Sequence, residues 1–281
     1  MKQFHTPMAM RAWSNQQRRD GFRLAVVPTM GALHEGHLKL IDVAHEHADG
    51  VIVTIFVNPI QFNRTDDFAK YPRTIDDDAD KCRGRSVHAL YLPTAEVMYP
   101  QGYETYVHPG ELADPLCGAG RPSHFRGVTT VVSKLFNATT PDVGVFGQKD
   151  FQQLAIIRRM TIDLDFGVEI VGMPTVRVPD GLAMSSRNVR LKPEDRIAAR
   201  CIPSSIEAVK RAVADGERSA AVLAGIAAQE IGHERRARIE YLDVRDPDTL
   251  QPVHQLRRAT LMAFAVWFGD VRLIDNVVLE F

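Results

Sequence analysis

No run of apolar residues in this chain approaches the roughly 18 that a membrane-spanning helix needs, which argues against a helical membrane anchor. Residues 1–11 hold no apolar core of the signal-peptide kind, so secretion is not expected. Cysteine is scarce and scattered: Cys82, Cys117 and Cys201 form neither a disulfide framework nor a metal-ligand spacing. Each is expected to be a small packed side chain in a reducing, cytoplasmic setting. Excess charge of either sign is also missing. A formal net charge of −1 removes the electrostatic case for bulk nucleic-acid binding. No repeat or low-complexity segment is apparent.

What is present reads as a soluble globular chain. It has 281 residues, 45% apolar and 25% charged, enough for two domains or one large one. Residues 24–27 and 51–57 are unbroken apolar runs, the second largely β-branched, as expected of parallel strands covered on both faces. Residues 87–92, 143–146 and 168–171 read as further strands. Residues 76–85, 128–136 and 151–162 read as helices between them. Alternation of this kind predicts an α/β fold: a Rossmann-like parallel sheet with helices on both faces. Such sheets bind ligands at the carboxyl ends of their strands. After a composition shift near residues 176–188, residues 193–214 and 220–236 read as two helices, and 239–244, 261–266 and 271–274 as short strands. The expectation is therefore a Rossmann-like domain over 1–175 and a smaller C-terminal α+β domain over 176–281.

The most informative segment is Met30-Gly31-Ala32-Leu33-His34-Glu35-Gly36-His37, which follows Pro28-Thr29 at the end of the first apolar run. Leu38, Leu40, Ile41, Val43 and Ala44 then fall at helical spacing. Two histidines and two glycines thus sit where a strand ends and a helix begins. Backbone N–H groups and the helix dipole favour an anion there. Gly31 and Gly36 permit close approach of a ligand. His34 and His37, three apart, face the same way on a helical turn. A zinc-protease reading fails on spacing, since its histidines stand four apart. The phosphate loop fails too, because Lys39 does not directly follow Gly36. The bland reading, two solvated histidines, is less natural for a pair framed by glycines.

His34-Glu35-Gly36-His37 resembles the His-x-Gly-His signature of the nucleotidyltransferase superfamily, which includes class I aminoacyl-tRNA synthetases. The longer string from Pro28 to His37 is narrower and resembles the pantoate–β-alanine ligase family. Four other segments carry the same resemblance: Phe56–Phe62, Tyr71–Asp78, Arg121–Val128 and Phe146–Gln153. Met184-Ser185-Ser186-Arg187-Asn188 also matches, and corresponds to the Lys-Met-Ser-Lys-Ser loop of class I synthetases. Similarity extends over residues 24–276. One departure is Ser123, where the family usually has glycine.

The resemblance implies roles. ATP would meet Met30 to His37, Gly147, Gln148, Lys149, Asp150, Val176, Met184, Ser185, Ser186 and Arg187. His34, His37, Lys149 and Arg187 would be the catalytic, charge-stabilising set. Gln61, Gln153, Val131 and Val132 would line the site for pantoate and β-alanine. Asp77 would lie near Mg²⁺, although the acidic run Asp76-Asp77-Asp78 is equally explained as the first turn of a helix capped by Thr74. The implied reaction is ATP-dependent joining of pantoate to β-alanine through pantoyl adenylate, by a cytoplasmic homodimer. A nucleotidyltransferase acting on another small acid, and a catalytically silent nucleotide-binding module, remain as alternatives. Gln61 and Gln153 argue against the first, and His37, Lys149 and Arg187 against the second.

Overall fold

The structure is a computed structural model that describes residues 1–63, 68–69 and 71–280. Its chain divides into two compact units. Met1–Ala113, Gly118–Gln148 and Ile156–Pro174 form the first; Asp114–Cys117, Lys149–Ala155 and Thr175–Phe281 form the second.

In the first unit the described strands are β1 (Lys2–Phe4), β2 (Leu24–Thr29), β3 (Gly50–Ile55), β4 (Ala89–Tyr91), β5 (Val143–Gly147) and β6 (Glu169–Met173). They form a six-stranded sheet in the order β1-β4-β3-β2-β5-β6, parallel at every pairing. Leu24 to Val27 and Val51 to Val53 are wholly buried, as continuous apolar runs in a doubly covered sheet should be. Helix α1 (Pro7–Arg19) links β1 to β2, α2 (Glu35–His47) links β2 to β3, and α3 (Ile75–Gly84) precedes β4. The short α4 (Ala95–Met98) and α5 (Cys117–Gly120) and the long α6 (His124–Thr139) lead to β5. Helix α7 (Phe151–Asp163) precedes β6.

From β2 the chain steps one way along the sheet, to β3 and then β4; from β5 it steps the other way, to β6. Right-handed crossovers therefore put α2 and α3 on one face and α1, α6 and α7 on the other. Packing of α1 against α6 agrees with this. The order reverses between β2 and β5, which are hydrogen-bonded neighbours. Neither connection crosses the gap between them, so a crevice is left at their carboxyl ends.

The second unit holds a three-stranded antiparallel sheet of β7 (Ala237–Arg245), β8 (Thr260–Phe268) and β9 (Val271–Leu279). Helices α8 (Pro193–Ala198), α9 (Cys201–Ala214) and α10 (Ala220–Gly232) accompany it. Ile202, Ile206, Val209, Leu223, Phe264 and Phe268 are at the centre of one buried cluster. The single helix expected over 193–214 is broken into α8 and α9 at Ala199–Arg200. Pro203 accounts for the break: its ring would clash with the carbonyl four residues back, that of Ala199. The elements outside the expected set include β1 and α1. Helix α1 buries only Met10 and Ser14 and is polar overall, with few apolar residues to mark its inner face.

Glu240 of β7 accepts from Arg272 at 2.8 and 2.9 Å and from Trp267 Nε1 at 2.6 Å. The Arg272 guanidinium holds the Glu240 carboxyl below the usual carboxylate range. A depressed acid stabilises the fold above its unfolded pKa, about 4.3, and that contribution is lost as pH falls through the folded value. Melting temperatures of wild type and Glu240→Gln should therefore differ at pH 7 and converge as pH falls below about 4. A pH-independent difference would show that this ion pair does not set the acid sensitivity.

Gly127 of α6 has no room for a side chain. A β-carbon there would sit 2.8 Å from Ile60 O and 2.9 Å from Gln61 N and Cα. This contact seats the 3₁₀ turn Pro59–Gln61 directly on the helix. Gly127→Ala should cost about 1–3 kcal/mol in denaturant unfolding, despite alanine's better helix propensity, because backbone must move.

Candidate active site

The loop after β2 is built from the backbone outward. Thr29 Oγ1 donates to Thr54 O at 2.8 Å and accepts from Gly31 N at 3.2 Å. Gly31 and Ala32 then take positive φ values of 82° and 51°. A β-carbon at Gly31 would meet Ile55 Cγ2 at 3.0 Å and Asp78 Oδ2 at 3.1 Å, so glycine is required by conformation and by space. His34 is the N-cap of α2, with extended backbone. Its N–H donates to His37 Nδ1 at 3.3 Å, and the two imidazoles stack with centroids 4.0 Å apart. Because Nδ1 of His37 accepts, the neutral ring carries its proton on Nε2, where it is a donor. Glu35 turns away to Arg85, which also grips Asp42. Two of the loop's N–H groups are already committed: Ala32 N and Leu33 N donate to Asp78 at 2.9 and 2.7 Å. The N–H groups of residues 32 and 33 are thus turned inward, onto a side chain of this unit.

The acidic run is divided by this geometry. Asp78 is wholly buried against the loop. Asp77 is exposed and paired with Lys81 Nζ at 2.6 Å. Lys81 Nζ also donates to Leu33 O at 2.9 Å. Mg²⁺ is held by one or two carboxylates with phosphate and water. Here one carboxylate is consumed by backbone donors and the other by an ammonium. No cluster of three acidic, histidine or cysteine ligands occurs among the described residues. These residues do not fit a divalent ion held by the protein alone.

Gln61 lies in the turn after β3. Its Oε1 accepts from Asn58 Nδ2 at 3.0 Å, and its Nε2 donates to Met30 Sδ at 3.0 Å. Asn58 also donates to Gly127 O at 3.1 Å and accepts from Tyr99 OH at 2.8 Å. The amide of Gln61 is therefore held from both ends, by Asn58 and Met30, and Tyr99 holds Asn58 in turn; Asn58 and Tyr99 were not singled out from the sequence. Val131 and Val132 are buried in α6. Lys134, in the same helix, stands 4.8 Å from the Tyr103 ring centroid, and burial pulls its ammonium below the usual lysine range. Gln148, directly after β5, donates to Gly172 O at 3.4 Å.

In the second unit Lys149 offers its carbonyl to Asn276 Nδ2 at 2.9 Å. Asp150 is exposed and Gln153 half-buried, whereas the adjacent Gln152 is buried. Gln152 accepts from Cys117 N at 3.0 Å and donates to Pro115 O at 2.7 Å, pinning Asp114–Cys117 to α7. Only burial distinguishes the two glutamines, and the sequence does not show it. Val176 and Met184 close a hairpin through Met184 N and Val176 O at 2.9 Å. Arg177 anchors that hairpin by a two-pronged pair, 2.7 and 3.0 Å, with the buried Asp275 of β9. Ser185 caps the 3₁₀ turn Ser186–Arg190 by accepting from Arg187 N at 3.3 Å. Of the cysteines, Cys82 and Cys201 have thiols pushed up to about 12 by burial, which leaves them inert.

Fold and loop together define a class: a doubly wound parallel α/β unit with a histidine-bearing loop at its switch point, carried on one chain with a smaller antiparallel-sheet unit. The family model described as pantoate-beta-alanine ligase matches residues 2–278. Pantothenate synthetase of Moorella thermoacetica is 48% identical over 280 residues, covering 100% of this chain and 99% of that protein. The crystal structure of pantothenate synthetase from Thermus thermophilus has a TM-score of 0.93 at 38% identity, over 99% of each chain. That of pantoate-beta-alanine ligase from Francisella tularensis, complexed with β-γ ATP and β-alanine, has a TM-score of 0.81 at 32% identity, over 99% of this chain and 97% of that one. The chain belongs to the pantoate–β-alanine ligase family, enzymes that form a carbon–nitrogen bond.

Ser123, at the N-cap of α6, takes φ 65°, the left-handed region that favours glycine. A side chain there costs about 1–2 kcal/mol. Glycine would return about 0.4–1 kcal/mol of that by loosening the unfolded chain. Ser123→Gly should therefore raise unfolding stability by up to about 1 kcal/mol; a loss would show that the Ser123 side chain contributes more than its strain.

Proposed function

We propose that this chain joins (R)-pantoate to β-alanine with ATP in two steps. A carboxylate oxygen of pantoate attacks the α-phosphorus of ATP. The new oxygen–phosphorus bond makes pantoyl adenylate, and the bond to pyrophosphate breaks. The amine of β-alanine then attacks the acyl carbon and loses a proton, and AMP leaves with the electron pair of the broken carbon–oxygen bond. The observation that carries this reading is the stacked His34–His37 pair at the carboxyl end of β2, at the reversal of strand order.

No side-chain nucleophile is needed, because the substrate's own carboxylate attacks. Positioning and charge stabilisation suffice. His34, His37, Lys149, Ser185, Ser186 and Arg187 hold the triphosphate. His37, with Nε2 as donor, hydrogen-bonds the departing pyrophosphate. Gly147, Gln148, Asp150 and the backbone of Val176 receive the nucleoside, and Gln61, Gln153, Val131 and Val132 receive pantoate. Residues 176–281 serve as a lid to the nucleotide- and pantoate-binding part. Mg²⁺ would offset the charge of the ATP phosphates, and Asp77, here paired with Lys81, would be the side chain beside it. The protein works as a homodimer in the cytoplasm.

The test is positional isotope exchange in labelled ATP with pantoate present and β-alanine absent. Scrambling is expected in wild type. In His37→Ala it should fall by about 10²–10⁴-fold with the fold intact. Arg187→Ala should lose the same step yet still convert supplied pantoyl adenylate and β-alanine. Near wild-type exchange in His37→Ala would overturn the role of the loop.

A further inference from the structure

The turn at Gly31–Ala32 presents two successive backbone N–H groups, those of Ala32 and Leu33, toward one point. Successive N–H groups of a turn make an anion-binding concavity. In this protein the concavity is filled from within. Asp78 Oδ2 accepts from Ala32 N at 2.9 Å, and Oδ1 from Leu33 N at 2.7 Å. Thr74 Oγ1 donates to Oδ2 at 3.1 Å. The side chain is 0% exposed, so no water competes for these oxygens. One turn further along α3, Lys81 Nζ takes the carbonyl of the same loop residue, Leu33, at 2.9 Å. Helix α3 therefore grips residues 32–33 by both N–H groups and one C=O. His34 follows immediately, and its N–H in turn sets the His37 ring.

We propose that Asp78, with Lys81 as its second hold, is a positioning residue for adenylate formation: an internal anion that fixes the loop from which His34 and His37 project. It touches no substrate. It occupies the N–H pair that a phosphate would otherwise seek, so an incoming triphosphate is left to the imidazoles and the start of α2. This rests on the reading that those histidines hold the triphosphate.

The test uses Asp78→Asn, which keeps the shape but turns one oxygen into a donor that faces a backbone N–H. Amide hydrogen exchange at Ala32 and Leu33 reads the grip itself, independently of function. It should accelerate about tenfold or more while amides of β2 and β3 keep their protection. ATP–pyrophosphate exchange with pantoate should lose about 10²-fold in kcat, the scale of a loop misplaced by about 1 Å. The KM for pantoate and the conversion of supplied pantoyl adenylate should stay within about threefold. Unchanged amide exchange, unchanged adenylate formation, or equal loss of both half-reactions would each overturn the proposal. If Asp78→Asn does not fold, Lys81→Met at the helix surface carries the test. About a tenfold loss confined to the first half-reaction is expected there, and no loss overturns the proposal. His37→Ala, run in parallel, separates the two ideas: full exchange activity in that variant sinks the phosphate reading, while amide exchange in Asp78→Asn still reports on the grip.

Discussion

The constraint on which the first unit depends is the reversal of strand order at β2. This strand is bonded to β3 on one side and β5 on the other, and the connections that follow β2 and β5 leave in opposite directions. A right-handed crossover cannot be avoided on either side. The carboxyl end of β2 is consequently uncovered, and whatever stands there is presented to a ligand. Placing Gly31, Ala32 and the two histidines at that end turns a topological gap into a chemically equipped one. The alternative, the same loop at an interior strand with connections on one side only, would bury the histidines under its own crossover.

A second layer of organisation rests on backbone held by side chains. Thr29 seats the first loop residue, Asp78 the next two, and Asn58 with Tyr99 the amide of Gln61. Each of these groups is buried or half-buried and engaged. Polar groups in such places are expensive unless paired, so the pairing and the shape of the loops are fixed together. Met30 links the two loops within this unit, because its sulfur accepts from Gln61. The soft thioether is a weak acceptor, so it joins the loops without locking either one.

Legibility from sequence followed burial. The strands β2, β3 and β5 are built on short apolar runs, and those runs, bounded by turn residues, placed them. The helix after His37 was plain from Leu38 to Ala44. Helix α1 escaped because almost all of it faces water, and β1 because three residues are too few to show a pattern. The break between α8 and α9 was legible in principle, since Pro203 stands in the expected helix, but the residue that suffers is Ala199, four positions earlier. At the site, the residue types that carry charge were visible; which of two neighbours faces inward was not. Asp77 and Asp78 are alike in sequence, and so are Gln152 and Gln153, yet in each pair one is buried and the other is not. The Arg177–Asp275 pair joins residues 98 apart in the chain and has no local signal at all.

The pairing of β1 has a consequence for how the molecule is made. Lys2 to Phe4 bond to β4 in the register Lys2↔Ala89, so the strand and its neighbour lie far apart along the chain. At roughly 5–20 residues per second, several seconds of synthesis separate the two. The earlier strand must therefore wait, without its partner, until β4 has been translated. Its brevity, its charged Lys2 and its polar Gln3 suit that interval, because a short polar edge offers little for a neighbouring nascent chain to seize.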